Sequence, residues 1–159
     1  MRLADQWVPG AVGDVAALHG RYYAASHGFG VGFETRVATA LGEFLARLDE
    51  RSLFRCVVDD KGRVLGSIAI DGAQSPLAQL RWFILDGSLH GQGWGRRMME
   101  EAMAHCRRFE GVYLYTMEGL DAAIHLYERH GFAETARVPD AQWSTGFVNI
   151  RMEARFSPA

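Results

Sequence analysis

Apolar positions along this chain recur first at helical spacing, then at strand spacing, and then alternate between the two. After an opening segment, Leu3–Val8, the stretch Gly13-Asp14-Val15-Ala16-Ala17-Leu18-His19 predicts a first helix, capped by Asp14 and running to about Ala25. Glycines in Gly28–Gly32 break it. Phe33, Val37, Leu41, Phe44, Leu45 and Leu48 then recur three and four residues apart, which predicts a second helix over Phe33–Leu48 with one core-facing stripe. From Arg51 the period shortens: Leu53–Val58 and Val64–Ile70 are β-branched runs joined by Asp59-Asp60-Lys61-Gly62, a hairpin pattern. A third run, Ala78–Leu85, sets Gln79, Arg81 and Phe83 on one face and Leu80, Trp82 and Ile84 on the other.

Past a glycine-rich turn, Met98, Met99, Ala102, Met103 and Cys106 form the apolar stripe of a third helix, with Arg97, Glu100, Glu101 and Arg108 on its wet side. Val112–Thr116 reads as a strand, Leu120–His130 as a helix ended by Gly131, and Phe132–Val138 and Phe147–Phe156 as the last strands. The strand-helix-strand-helix-strand run in the middle predicts parallel pairing there, and the hairpins at both ends predict antiparallel pairing. The fold class is α/β with a mixed sheet.

A length of 159 residues suits one domain, 1–159. Hydrophobic residues at 48% and charged residues at 23% are ordinary for a soluble globular chain. The formal net charge of −2 supplies no global field for nucleic acid or an anionic membrane, so any affinity for an anion must be local. Without an apolar run near 18 residues or a signal-type start, and with Cys56 and Cys106 in apolar contexts, the expected setting is the reducing cytoplasm. No repeat appears.

Chemistry concentrates in Leu85-Asp86-Gly87-Ser88-Leu89-His90-Gly91-Gln92-Gly93-Trp94-Gly95-Arg96-Arg97-Met98-Met99. Glycines at alternate positions permit a tight turn that bares backbone N–H groups, and the helix that follows adds partial positive charge at its start. The pattern predicts a cradle for phosphate or pyrophosphate. A dinucleotide fingerprint would need glycine where Arg96 stands, although Glu118 lies at a ribose-binding distance and keeps a nucleotide-binding oxidoreductase as an alternative. None of the six histidines has metal-ligand spacing, and Glu101 with His105 reads as a helix-surface pair, so no metal is expected.

One strand and one helix downstream stands Ala123-Ile124-His125-Leu126-Tyr127-Glu128-Arg129-His130-Gly131-Phe132. Together with Gly91-Gln92-Gly93-Trp94-Gly95, it resembles the GNAT N-acetyltransferase superfamily, and the order of elements agrees along the whole chain. More narrowly, Leu80-Arg81-Trp82-Phe83-Ile84, Tyr115-Thr116, Gly119-Leu120-Asp121-Ala122-Ala123 and Gln142-Trp143 are similar to the acetyltransferase halves of proteins that fuse a MarR-type DNA-binding domain to a GNAT domain. The resemblance implies a largely antiparallel sheet with a central parallel pair splayed for coenzyme A and helices on both faces. It implies acetyl-CoA as co-substrate and a small-molecule amine as acceptor.

By position, the resemblance places Phe83, Ile84 and Leu85 along the pantetheine arm, offering backbone groups as an added strand would. His90, Gly91, Gln92, Gly93, Trp94, Gly95 and Arg96 surround the pyrophosphate. Tyr127 matches the tyrosine that protonates the departing thiolate, a task suited to a phenol with a pKa of about 10. The amine must lose a proton before it attacks; Glu34 is the expected base, with Glu118, His19 and a water chain as alternatives. Tyr23, Phe33, Glu34 and Arg81 are expected around the acceptor, beside Tyr22 and Phe29, and Arg81 either anchors a substrate carboxylate or pairs with an acid such as Glu34. His90 stands where arginine or glutamine is usual, and Leu120 where many relatives carry asparagine. A non-catalytic acyl-CoA-binding sensor is the second reading, and the oligomeric state is left open, a homodimer included.

Overall fold

A computed structural model describes residues 1–139 and 147–157; the Gln142-Trp143 pair lies outside the described residues. Within them the order is β1 (Arg2–Ala4), α1 (Ala11–His27), α2 (Val31–Ala46), β2 (Leu53–Val58), β3 (Val64–Asp71), β4 (Leu77–Leu85), α3 (Trp94–Cys106), β5 (Gly111–Met117), α4 (Asp121–Arg129), β6 (Ala133–Pro139) and β7 (Val148–Arg155). The strands form one sheet, β1-β2-β3-β4-β5-β7-β6. Only β4 and β5 pair in parallel. The second helical crossover yields no further parallel pair, because β7 inserts between β5 and β6 and runs antiparallel to both.

Two cores flank the sheet. On one face, Met98, Met99, Ala102, Met103 and Cys106 of α3 bury against Ile68, Ile70, Leu80 and Leu114, as the helical stripe predicts. Each such side chain contributes roughly 1.5–3 kcal/mol relative to exposure. On the other face, Val15 of α1 and Leu41 and Phe44 of α2 pack on Phe54, Cys56 and Val58.

Asp14 does not cap α1. The helix begins at Ala11 after a left-handed Gly10, and the Asp14 carboxylate instead accepts from the Val64 N–H at 2.9 Å, tying α1 to β3. The second helix stops at Ala46, so Leu48 falls beyond it and is exposed. Glu101 and His105 do not pair either. Glu101 accepts from Arg55 Nε at 2.7 Å, and His105 Nε2 lies 2.8 Å from the Arg51 carbonyl, each meeting a partner on a neighbouring segment.

The strict alternation expected along β4 fails at Trp82. Ala69 faces Arg81 and Ser67 faces Ile84, so Ile68 alone opposes Trp82 and Phe83. This is a β-bulge, with Trp82 at φ +48°. Leu80 therefore enters the α3-side core, whereas Trp82 crosses to the other face and packs 5.3 Å from the Phe44 ring. Ser67 Oγ donates to the Trp82 carbonyl at 2.7 Å and fixes the bulge.

Candidate active site

The parallel pair is short. β4 and β5 match at Leu77 with Gly111, Ala78 with Val112 and Gln79 with Tyr113, and then part. Beyond Gln79, β4 has no partner on its β5 side, and the bulge at Trp82 bends this same stretch. A cavity of about 840 Å³ fills the opening, lined by Leu80–Leu85 on one side and Tyr115–Met117 on the other. That size falls within the range of small-molecule sites.

Beyond β4 the cavity meets the glycine turn. Gly91 (φ +78°) and Gly93 (φ +86°) hold backbone conformations that a side chain would strain. Gly93 also caps α3 without any side-chain hydrogen bond, so the first-turn amides of Trp94, Gly95 and Arg96, all cavity-lining residues, have no capping side chain. Gly95 is different: a Cβ there would touch the Phe83 ring at an ordinary 3.6 Å. His90 lines the cavity with its Nε2 3.2 Å from the Leu85 carbonyl. Gln92 does not line it, since its side chain turns back to donate to the Ser88 carbonyl at 2.9 Å. Arg96 reaches the wall while paired with Glu100 at 3.0 Å.

Tyr127 enters from α4, 7% exposed, with its ring 6.1 Å from Phe83 and 5.8 Å from Phe132. Burial, helped by the nearby Tyr23, pushes its pKa well above the ordinary phenol range. Tyr23 is pushed up to about 12 by burial and by Tyr22. Both therefore keep their protons at neutral pH.

The far end is walled by α1 and α2 through His19, Tyr22, Tyr23, Phe29, Phe33 and Val37. Tyr23 stacks on Phe29 at 6.0 Å and meets Phe33 at 5.0 Å. His19 Nδ1 lies 2.8 Å from the Val15 carbonyl, so Nδ1 carries the hydrogen and Nε2 keeps its lone pair. Burial lowers the His19 pKa to about 4. Glu34, by contrast, is exposed and outside the cavity, because its carboxylate lies across α1 in the space that Gly20 leaves open; a Cβ on Gly20 would fall 2.1 Å from Oε1. Glu118 is also outside it, accepting from Arg137 Nη1 at 2.8 Å.

Arg81 lines the cavity, but its acidic neighbour is Asp71 at 3.8 Å and not Glu34. Its guanidinium lies 4.0 Å over the Trp82 ring. Asp71 and Asn149 escaped the sequence reading, and Thr116 entered it only within the Tyr115-Thr116 motif; Thr116 and Asn149 line the cavity wall from β5 and β7. Among the described residues no group of three His, Cys, Asp or Glu side chains is placed to hold a metal ion. No helix among them is long and apolar enough to cross a membrane.

The family model described as acetyltransferase (GNAT) family matches residues 19–132, from the buried histidine of α1 to Phe132 just beyond α4. The chain belongs to the GNAT acetyltransferase family. Membership implies acetyl-CoA as co-substrate, and the uncapped α3 amides behind two left-handed glycines, next to an unpaired strand edge, fit a ligand with a pyrophosphate and an extended arm. A mycothiol acetyltransferase of Geodermatophilus obscurus is 36% identical over 92 residues, a match covering 53% of this chain and 29% of that protein. The matched stretch is thus under a third of that relative's length. Among solved structures, a GCN5-related N-acetyltransferase from Kribbella flavida shares 18% identity at a TM-score of 0.76, covering 98% of this chain and 97% of that one. A spermidine N-acetyltransferase from Vibrio cholerae shares 17% identity at a TM-score of 0.64, covering 98% and 95%. These two likenesses concern the GNAT fold.

Proposed function

We propose that residues 1–159 work as one domain that moves an acetyl group from acetyl-CoA to a primary amine of a small molecule, with Tyr127 as general acid. One observation carries this reading: a single cavity joins the glycine turn, the unpaired β4 edge and the buried phenol. When bound, acetyl-CoA supplies an acetyl group already activated as a thioester. Phe83, Ile84 and Leu85 hold its arm through backbone groups, and the amides from Gly91 to Arg96 hold its pyrophosphate. Gln92 contributes main chain only, and Arg96 adds charge.

Tyr127 carries its proton until sulfur departs. A phenol held above its usual pKa is a weak acid in water, but the same desolvation raises the proton affinity of a thiolate leaving beside it. Glu34 lies outside the cavity, and His19 lines it with Nε2 unprotonated, but the burial that lowers its pKa to about 4 makes it a weak base, so water takes the amine proton in this reading. The nitrogen lone pair of the neutral amine forms the new C–N bond, its extra proton leaves to water, and the C–S bond breaks as the phenol protonates sulfur.

Tyr127 also belongs to the hydrophobic core, which favours a second reading, a non-catalytic acyl-CoA sensor. A thiol-release assay with acetyl-CoA against amino acids, polyamines, aminoglycosides and peptides separates the two. Amine-dependent release is expected, falling about 10²–10⁴-fold in Tyr127→Phe while calorimetric affinity for acetyl-CoA holds. Full turnover by that variant would remove the assigned acid. The likeness to the acetyltransferase halves of MarR–GNAT fusions rests on sequence motifs alone.

A further inference from the structure

The acceptor end of the cavity contains a cation that the fold leaves underused. Asp71 is satisfied without Arg81: Arg47 donates to its two oxygens at 3.2 and 2.7 Å, and the Ala73 N–H donates at 3.1 Å. Arg81 stands 3.8 Å from the same carboxylate and makes no hydrogen bond among the described residues. Its side chain is 30% exposed and lines the cavity. Its guanidinium carbon sits 4.0 Å over the Trp82 ring, a contact that leaves its N–H groups free to donate to a ligand.

The surroundings agree in sign. Asp71 is the carboxylate nearest to Arg81 and is already paired with Arg47, which also feels Asp49 and Glu43, and Arg36 adds positive field at Arg81. Burial and these like charges outweigh Asp71 and lower the Arg81 pKa, so a bound anion would relieve an existing cost. Among the described lining residues the sole carboxylate is Asp121, in the first turn of α4. Tyr23, Phe29, Phe33 and Val37 make the rest of this end apolar, and His19 is neutral.

We infer that Arg81 binds the carboxylate of the acceptor, so that the substrate is an amine bearing a carboxylate and an apolar body, not a polyamine. One guanidinium fork matches one carboxylate in charge and shape, whereas a phosphate dianion would call for a second facing cation. The inference rests on the acetyl-transfer reading of the same cavity and names its acceptor class.

The test compares phenylalanine, leucine and methionine with their carboxamides, and with spermidine, by thiol release from acetyl-CoA. The free acids are expected to exceed their carboxamides at least tenfold in kcat/KM. In Arg81→Gln that preference should vanish through a raised KM for the acids, with acetyl-CoA affinity within about twofold of the parent. Equal rates for acid and carboxamide in the parent protein, or spermidine as the better acceptor, would overturn the inference and leave acetyl transfer standing. Calorimetric binding of the N-acetylated acids needs no turnover: affinity lost at least tenfold in Arg81→Gln would support the anion site even if no amine were acetylated. Absence of both binding and preference would end it.

Discussion

A buried histidine illustrates how one side chain ties stability to pH. His19 is 7% exposed, and its pKa of about 4 lies below the ordinary 6.5 because burial disfavours the charged ring. Between these values the unfolded chain binds a proton that the folded chain refuses. Stability is therefore fully present above pH 6.5 and falls as pH drops toward 4, by on the order of 3 kcal/mol for this group. His105, whose pKa burial also lowers, acts in the same direction. Urea unfolding at pH 7.5 and 5 should show the loss, and His19→Asn, which keeps a donor for the Val15 carbonyl, should reduce its slope. An unchanged slope in that variant would show that His19 is not the titrating group.

Among the elements, the turn into α3 separates two kinds of glycine. Gly93→Ala forces a side chain into the left-handed region and should cost about 1–2 kcal/mol, together with weaker acetyl-CoA binding. Gly95→Ala should leave stability equal or slightly raised, since its backbone is helical and its neighbour allows a methyl group. Denaturant midpoints for both variants check the contrast. The sequence already showed much of this: the run Gly91-Gln92-Gly93-Trp94-Gly95 ahead of an amphipathic stripe indicated turn and helix, but it could not show that only Gly91 and Gly93 need positive φ. Likewise the alternating run of β4 was plain, whereas its bulge was not. Nothing local to Trp82 shows that Ser67 captures its carbonyl. Glu34 was misplaced for a similar reason, because its direction depends on the space above Gly20, fourteen residues earlier in the sequence. Period reveals elements; cross-chain contacts decide which side chains meet.

For the molecule as a whole, the opening between β4 and β5 interrupts an otherwise continuous seven-stranded sheet. A ligand seated there would replace the missing strand contacts. Acetyl-CoA at a hundredfold excess over its Kd should stabilise the fold by about 2.7 kcal/mol, which raises Tm by roughly 5–10 °C for a domain of this size. Thermal unfolding with increasing acetyl-CoA checks this, and a Tm that ignores the ligand would contradict the assigned crevice. The two ends of that crevice are drawn from separate stretches: the glycine turn from Gly91 to Gly95, and the aromatic wall from His19 to Val37. In the proposed reading, exchange of side chains along α1 and α2 would alter which amine is admitted while leaving the grip on the acetyl donor intact. Such a division of labour would let acceptor choice diverge by mutation while the reaction itself is preserved.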